Sequence, residues 1–453
     1  MSRIHVRIRE WKTVGPDDPS QPELRGATLG DSNARALAAR LTAAGVVEVT
    51  ELRAGLRIAA FAHVGRIQLG TLTITIEPKI GSTDLLRLLR YAYGLRNLRL
   101  LDAAGFSTAG DLLQDLIAAQ LHAEVSELVH GGLAKTYVAR AEMLSSPRGR
   151  IDLAAIARRM PLTEARLLCT HHVRSTDDLL NRTVTAGVLL ASSIAQDAGL
   201  RRSLRSLGAR LTAEVGELRL DSEVLQRARA ALNRLTAAYE PALRLTELLY
   251  ACSAVSLDGE TTCELRGFLL DMNRFFQALL GRFLADHLTG FAVREEQALT
   301  EMMRYMPGLN PRRRRSPAPR PDFVVTTRQR IVALLDAKYR DLWERELPRE
   351  MLYQLAIYAL SQPDPATATI LYPTMATDAK DAVVEIIEPL RGSARGRVAL
   401  RPVVISELLG ALQSARPAAM CQALAHRYAF GASHPALSWT PGGTSARARA
   451  SAG

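Results

Sequence analysis

The chain has 453 residues, of which 47% are hydrophobic and 23% charged, a composition typical of folded proteins and not of disordered or collagen-like ones. At this length we expect two or three domains. The formal net charge of +12, supplied mostly by arginine, indicates a polyanionic partner. Nucleic acid fits better than a membrane surface because no basic amphipathic anchor stands out. The alternative is that a GC-rich genome enriches arginine and alanine without any such partner.

Cysteine spacing and the N-terminus indicate the compartment. The four cysteines lie far apart without CxxC spacing, which predicts neither a zinc site nor a disulfide framework. They are Cys169, Cys252, Cys263 and Cys421. The first residues lack the apolar block of a signal peptide, and no stretch approaches the ~20 apolar residues of a membrane span. We therefore expect a cytoplasmic, reduced protein.

Residues 1–110 are predicted to form a β-rich N-terminal domain with some helix. Apolar residues alternate with polar ones over residues 4–8 and 72–76, the two-residue period of half-buried strands. Pro78 ends the second run because proline cannot donate to a strand ladder. The segment TDLLRLLRYAYGL that follows is predicted to be an amphipathic helix.

Residues 111–260 are predicted to form a mostly helical stalk or bundle. Leu, Ala and Val recur at three- and four-residue spacing in LLQDLIAAQLHAEVSELV and throughout residues 181–250. Between these runs, SSPRGRIDL and CTHHVRSTDDLLNRT are typical of loops.

Residues 261–435 are predicted to form an α/β domain with a mixed sheet. A helix is expected over ELRGFLLDMNRFFQALLGRFLADHL, followed by the Pro- and Arg-rich loop PGLNPRRRRSPAPR. A hairpin over residues 320–340, the helix EMLYQLAIYALS and the strand TATILYP come next. Residues 436–453 have low apolar content and are predicted to be a disordered tail.

The hairpin over residues 320–340 contains a candidate metal site. With its turn at residues 327–330, antiparallel pairing sets Asp322 opposite Asp336 or one residue away, and opposed side chains ~5 Å apart can share a divalent cation. Lys338 lies two residues after Asp336 and points to the same face. Such a site suits Mg²⁺ or Mn²⁺ and phosphodiester chemistry, with the lysine orienting water or stabilising developing charge.

The alternative interpretation is that these charges are the ends of an ordinary hairpin, since a D…DxK pattern often occurs by chance. Three features favour a site. The nearly continuous apolar run IVALLDAKY predicts a buried strand, where unpaired Asp and Lys would be costly. Gln354 and Tyr358 share one face of the next helix. Four consecutive arginines precede the hairpin.

Those arginines are predicted to contact DNA phosphates. They are Arg312, Arg313, Arg314 and Arg315, in a loop that its prolines are expected to keep extended rather than helical. Backbone contacts of this kind add affinity without selecting sequence. The alternative is a solvated charge run that only aids solubility.

The segments RPDFVV, LLDAKY and YQLAIY resemble the PD-(D/E)xK nucleases with a trailing QxxxY motif. More closely, the chain resembles the McrC family, the endonuclease component of the McrBC 5-methylcytosine restriction system. GLAKTYVAR, SPRGRIDL, residues 169–181, DMNRFF and ILYP match that family in order, and the resemblance covers roughly residues 55–405.

The resemblance implies a Mg²⁺- or Mn²⁺-dependent DNA endonuclease. Its metal would be held by Asp322 and Asp336, with Lys338, Gln354 and Tyr358 as further catalytic residues. It also implies a separate motor, a McrB-like AAA+ GTPase ring that receives the N-terminal half of the chain. The sequence itself contains no GxxxxGK[ST] phosphate-binding loop.

One position departs from the family. Gln277 stands on the helix after DMNRFF, where family members often have an acidic residue, and neither Glu295 nor Glu296 is shown by the sequence to replace it. A catalytically impaired adaptor that activates an AAA+ ring, or a basic DNA-binding protein without nuclease activity, therefore remains an alternative.

Two other segments carry weaker signals. A metal site at His171, His172, Asp177 and Asp178 is disfavoured because adjacent histidines point apart. The loop over residues 145–151 is expected either to contact a phosphate or a protein partner, or to be only a structural turn, and Gly149 is expected to serve backbone geometry.

Overall fold

The chain divides into two compact units, Met1–Leu279 and Leu280–Gly453. The predicted division into segments 1–110, 111–260, 261–435 and 436–453 stays a prediction. The computed structural model describes residues 4–30, 32–94, 109–154, 166–253, 267–300, 302–328, 330–362, 367–414 and 417–431. The predicted disordered tail lies outside them.

The first unit begins with two small sheets. One has the strand order β1-β6-β5-β10 and the other β2-β4-β3. The elements are β1 (Ile4–Arg9), β2 (Thr13–Val14), α1 (Ser32–Ala43), β3 (Val47–Leu52), β4 (Gly55–Ala60), β5 (His63–Leu69), β6 (Leu72–Glu77), α2 (Ser82–Tyr93) and β10 (Gly267–Asp271). The two predicted alternating runs are β1 and β6, paired in parallel from Ile4 with Leu72. β6 is buried on both faces, not one, because it lies between β1 and β5.

Strand β10 corrects the prediction of one long helix over ELRGFLLDMNRFFQALLGRFLADHL. The segment GFLLD pairs antiparallel with β5, and helix α8 (Met272–His287) begins only after it. The Asp271 carboxylate accepts a hydrogen bond of 2.9 Å from the Asn273 backbone N–H, the geometry of an Asp that starts a helix. A partner strand some 200 residues away in sequence, which local periodicity does not reveal, thus overrides the helical pattern.

Helices dominate the rest of the first unit. They are α3 (Ala109–Gly131), α4 (Leu179–Ile194), α5 (Ala198–Thr212), α6 (Ser222–Ala230) and α7 (Glu240–Ser253). α4, α5 and α6 each begin after an aspartate whose carboxylate accepts a backbone N–H three residues on: Asp178, Asp197 and Asp221. Apolar faces of these helices pack on one another, as the periodicity predicts.

A sheet lies inside this helical region, and its strands take up parts of both segments predicted to be loops. Its strands are β7 (Thr136–Leu144), β8 (Arg150–Ile151) and β9 (Leu167–Ser175), in the order β7-β9-β8. Most of β7 is exposed, and Tyr137 retains 67% of its accessible surface. The sheet is held by backbone pairing more than by a core, so its sequence lacks the apolar period that identifies strands.

A buried clamp fastens both ends of this sheet to the bundle. The Asn181 side-chain amide donates to the carbonyls of Ala134 and Thr176, at 2.9 and 2.6 Å, just before β7 and just after β9. The Tyr239 hydroxyl donates to Asn181 Oδ1 at 2.6 Å and accepts from the Ala134 N–H at 2.8 Å. Asn181 and Tyr239 are only 1% and 4% exposed. We call these two residues the root clamp.

The second unit is built on a mixed six-stranded sheet with the order β11-β12-β13-β14-β16-β15. Its elements are β11 (Ala292–Glu295), β12 (Phe323–Thr327), β13 (Arg330–Ala337), α9 (Arg349–Leu360), β14 (Thr367–Thr374), β15 (Ala382–Ile387), β16 (Ala394–Val404), α10 (Ile405–Gln413) and α11 (Pro417–Phe430). β12 and β13 form the predicted hairpin, and β13, β14 and β16 are parallel. The predicted α/β pattern with a mixed sheet is confirmed. Among the described residues, no helix has the length and apolarity needed to cross a bilayer.

Candidate functional site

The hairpin register brings the two predicted aspartates face to face. β12 and β13 pair Phe323 with Leu335, so one step further along the register Asp322 lies opposite Asp336. The sequence left open whether the two were opposed or offset by one residue. They are opposed, and opposed side chains lie on the same face of a sheet.

Lys338 lies against both carboxylates. Its Nζ is 2.9 Å from Asp336 Oδ2 and 4.0 Å from Asp322 Oδ2. The Lys338 N–H donates to the Leu371 carbonyl on β14, which continues the β13–β14 ladder past Ala337. The Ala337 N–H donates to Asp322 Oδ2 at 2.7 Å, so the backbone fixes that carboxylate too.

Burial makes this cluster electrostatically costly. The side chains of Asp336 and Asp322 are 3% and 17% exposed. Desolvation, and then the neighbouring Asp336 charge, raise the pKa of Asp322 to about 6, and desolvation also raises the pKa of Asp336. For Lys338 desolvation lowers the pKa, but the two aspartates outweigh it and the net shift is upward. Two like charges are therefore held together with one ammonium between them.

Tyr358 interacts with this cluster, and Gln354 lies on the same face of α9 and contacts Tyr358. Gln354 Nε2 donates to the Tyr358 hydroxyl at 3.0 Å on α9. Burial raises the Tyr358 pKa, and the charges of Asp336 and Asp322 raise it further, which places the phenol beside the carboxylates. Four of the five predicted catalytic residues thus interact with one another, and Gln354 is joined to them through Tyr358, while the catalytic roles stay a prediction.

A third acidic residue lies next to this pair. β11 and β12 pair Glu295 with Phe323, and one step beyond, the Glu296 N–H donates to the Asp322 carbonyl at 3.0 Å. The Glu296 charge adds to the rise in the Asp322 pKa. From the sequence alone, Glu296 was a candidate without supporting evidence, because only the register across three strands reveals its position beside Asp322. In the described residues, however, no three His, Cys, Asp or Glu side chains form a metal-binding group.

The four arginines upstream of β12 are exposed and non-helical, as predicted. Their loop is not simply extended. The Asn310 side chain accepts from the Arg314 N–H at 2.9 Å and donates to the Arg314 carbonyl at 2.8 Å, which closes a turn. Arg313 has a φ of +48° inside this turn. Proline blocks a helix here, and an asparagine sets the local shape.

The remaining candidates have structural explanations. Asp177 forms a bidentate ion pair with Arg182, both bonds at 2.6 Å, and Asp178 starts α4. His171 and His172 are consecutive residues of β9, so they point to opposite faces of its sheet.

Gly149 has a φ of +71°, and a Cβ there would lie 2.4 Å from the Thr170 carbonyl, so the expected backbone role is confirmed. Gln277 lies on α8.

Solved structures resemble this chain in fold. One is a refined half-complex from a tetradecameric assembly of Thermococcus gammatolerans McrB AAA+ hexamers with bound McrC, where the match has 20% identity, covers 93% of this chain and 99% of that chain, and has a TM-score of 0.61. Another is the cryo-EM structure of the Thermococcus gammatolerans McrBC complex, with 19% identity, coverage of 64% and 89%, and a TM-score of 0.46. At such identities the likeness concerns the fold alone. No curated protein sequence matches the chain.

The family assignment comes from a sequence-based family model. The model for a McrBC 5-methylcytosine restriction system component matches residues 58–373, well over half of the chain. The matched range ends inside β14 and includes the hairpin, Lys338 and α9. The chain belongs to the McrBC 5-methylcytosine restriction system component family.

Proposed function

We propose that this chain is the Mg²⁺- or Mn²⁺-dependent DNA endonuclease subunit of a modified-cytosine restriction complex of the McrBC type. The observation that carries the proposal is the buried pair Asp322 and Asp336, opposed across the hairpin with the Lys338 ammonium between them. Burial of two like charges destabilises a fold. Groups with such unfavourable burial are concentrated at functional sites. The PD-(D/E)xK nucleases, which the motifs resemble, use this arrangement for phosphodiester hydrolysis.

The donor set fits a hard divalent cation. Asp322 and Asp336 offer carboxylate oxygens, the ligands that Mg²⁺ and Mn²⁺ prefer. With both carboxylates ionised and Lys338 protonated, the cluster has a net charge of about −1 in a mostly buried position, which a cation offsets. When bound, the ion supplies Lewis-acid stabilisation of charge on the phosphate and lowers the pKa of a water.

Lys338 acts as a cationic donor in this proposal. Its raised pKa keeps it protonated at neutral pH, so it is unsuited to act as a general base. An ammonium donates without competing for a cation, and its Nζ can turn from Asp336 toward a phosphate oxygen or an attacking water. The Tyr358 hydroxyl, which accepts from Gln354, keeps its own proton to donate.

The Arg312–Arg315 loop supports the proposal as a backbone-binding element. It is exposed, and within the described residues these four side chains have no carboxylate partner. Guanidinium groups bind phosphate oxygens in bidentate geometry. Contacts of this type position the duplex and leave recognition of the base to another component.

We propose that the partner is a McrB-like AAA+ GTPase ring. The similar Thermococcus gammatolerans chain is solved in an assembly with McrB AAA+ hexamers. In this chain the N-terminal half is the proposed coupling module, and strand β7 of the β7–β9–β8 sheet exposes most of its residues, Tyr137 and Val138 among them. The root clamp hydrogen-bonds the backbone at both ends of that sheet and so fixes its orientation. A surface held in a fixed orientation loses less conformational freedom when it binds a partner.

A second candidate function is a catalytically impaired adaptor that activates the ring without cutting DNA. Gln277 favours it, because an amide is a weaker metal ligand than the carboxylate that family members often have. The presence of the full predicted set opposes it: Asp322, Asp336, Lys338, Gln354 and Tyr358.

One assay separates the two functions. The purified chain and the AAA+ protein encoded beside its gene would be mixed with GTP, Mg²⁺, and 5-methylcytosine or unmodified duplex DNA. The endonuclease proposal expects cleavage of the modified duplex that stops on chelation of Mg²⁺. Stimulated GTP hydrolysis with both duplexes left intact would instead establish the adaptor.

A further inference from the structure

A groove between α3 and α5 collects side chains that donate hydrogen bonds. Its volume is about 440 Å³. Leu207, 5% exposed, is the one apolar residue among the described residues that line it. The polar lining consists of His122 and Ser126 from α3 and Arg202, Ser203, Ser206 and Arg210 from α5. Among the described residues no carboxylate lines it, and α5 has four arginines and no acidic residue.

Several of these donors have no partner in the part of the chain that the structure describes. Within the described residues, the hydroxyls of Ser126 and Ser206 and the guanidinium of Arg210 take part in no hydrogen bond or ion pair. Arg202 uses only its Nε, in a bond of 3.3 Å to the Ala198 carbonyl of its own helix. Burial lowers the pKa of His122, so at pH 7 its ring is neutral and keeps one N–H to donate.

We propose that this groove binds backbone phosphates of duplex DNA. Arginine and serine side chains are the usual phosphate contacts of DNA-binding proteins. An acidic protein partner fits less well, because the groove lacks the apolar and aromatic surface that anchors protein interfaces. The inference rests on the proposed function for its choice of DNA as the polyanion, and it adds a DNA contact in the first unit.

The helical spacing suits a chain of phosphates. Arg202, Ser206 and Arg210 are four residues apart, so they form one row about 12 Å long on α5. Each strand of a duplex carries one phosphate per about 3.4 Å of helix axis, and a row of this length spans more than one of them. The groove therefore matches a strand better than a single small anion.

A pair of charge-matched variants tests the proposal. Arg202→Ser/Arg210→Ser removes the groove cations, and Arg205→Ser/Arg219→Ser removes two exposed arginines outside it. Duplex binding to the full-length chain, without metal or AAA+ partner, would be measured by fluorescence anisotropy from about 50 to 200 mM salt. The groove variant should lower the slope of log affinity against log salt by about 1.8, at 0.9 per lost phosphate contact, and the control by less than half as much.

A local readout accompanies the slope. The His122 ring resonance, assigned by its loss in His122→Gln, should shift when a short duplex is added to the wild-type chain and to Arg205→Ser/Arg219→Ser. Adding the same duplex to Arg202→Ser/Arg210→Ser should leave the His122 resonance unshifted. Neither measurement depends on cleavage, so an inactive nuclease would leave this test intact.

Three results would overturn the proposal. Equal slope changes in both double variants would mean that the groove arginines contribute only diffuse charge. A wild-type His122 resonance that does not move at saturating duplex would mean that no strand enters the groove. Unchanged DNA binding together with weakened binding of the AAA+ partner would mean that an acidic protein surface occupies it.

Discussion

Tyr239→Phe removes one oxygen atom from the root clamp and leaves the ring in place. The lost hydroxyl bonds the Ala134 N–H at 2.8 Å and Asn181 Oδ1 at 2.6 Å. Tyr239 and Asn181 are almost fully buried, so water does not readily replace it. Leaving a buried polar group unpaired costs about 1–3 kcal/mol, and two such groups give a loss of about 3 kcal/mol in the local stability of the sheet root.

Amide hydrogen exchange followed by mass spectrometry measures that loss. Because 1.4 kcal/mol is a factor of ten, exchange in peptides covering residues 132–138 and 174–178 should accelerate by about two orders of magnitude. Tyr250→Phe is the matched control, since within the described residues the Tyr250 hydroxyl has no hydrogen-bond partner. Unchanged exchange in the Tyr239→Phe root peptides would show that the clamp does not hold the sheet.

The hairpin was predictable because its evidence is local. Asp322, Asp336 and Lys338 are close in sequence, and the apolar run between them predicts a strand whose register follows from the turn. Gln354 and Tyr358 follow from helical spacing alone. The neighbouring Glu296 was not predictable, because its position depends on β11 pairing with β12 across a 27-residue gap.

The fold prediction from sequence failed mainly at strands that lack an apolar period. β7 is largely exposed and β9 mostly half-buried, so neither strand alternates clearly between buried and exposed residues, and their pairing from Thr136 with Ser175 spans 39 positions. The prediction of β10 as part of a helix was wrong for the opposite reason. Its apolar residues fit a helix as well as a strand, and only its partner β5 decides between them.

Three further predictions concern the second unit. Asp322→Asn should abolish Mn²⁺ binding in calorimetry while Asp378→Asn, at an exposed position, leaves it unchanged; equal binding in both would contradict the metal site. The Asp322 pKa is about 6 without metal, so below that pH the ion must displace a proton from this carboxylate. Mn²⁺ affinity should therefore be nearly flat above pH 7 and fall about fivefold between pH 6 and pH 5. A flat profile throughout would exclude this carboxylate as a ligand. Replacing Arg312–Arg315 with serine should reduce the salt slope of DNA binding by up to about 3–4, equally on methylated and unmethylated duplexes. A loss of discrimination between the two duplexes would show that this chain reads the base.

The most direct test of the proposed function is DNA cleavage by Asp336→Asn in complex with the AAA+ partner. The substitution preserves the size of a side chain that is 3% exposed and removes its charge. Stimulated GTP hydrolysis is measured in the same reaction to show that the complex has assembled. The account predicts that cleavage of 5-methylcytosine DNA is lost while hydrolysis stays at the wild-type rate. Cleavage at the wild-type rate by this variant would contradict it.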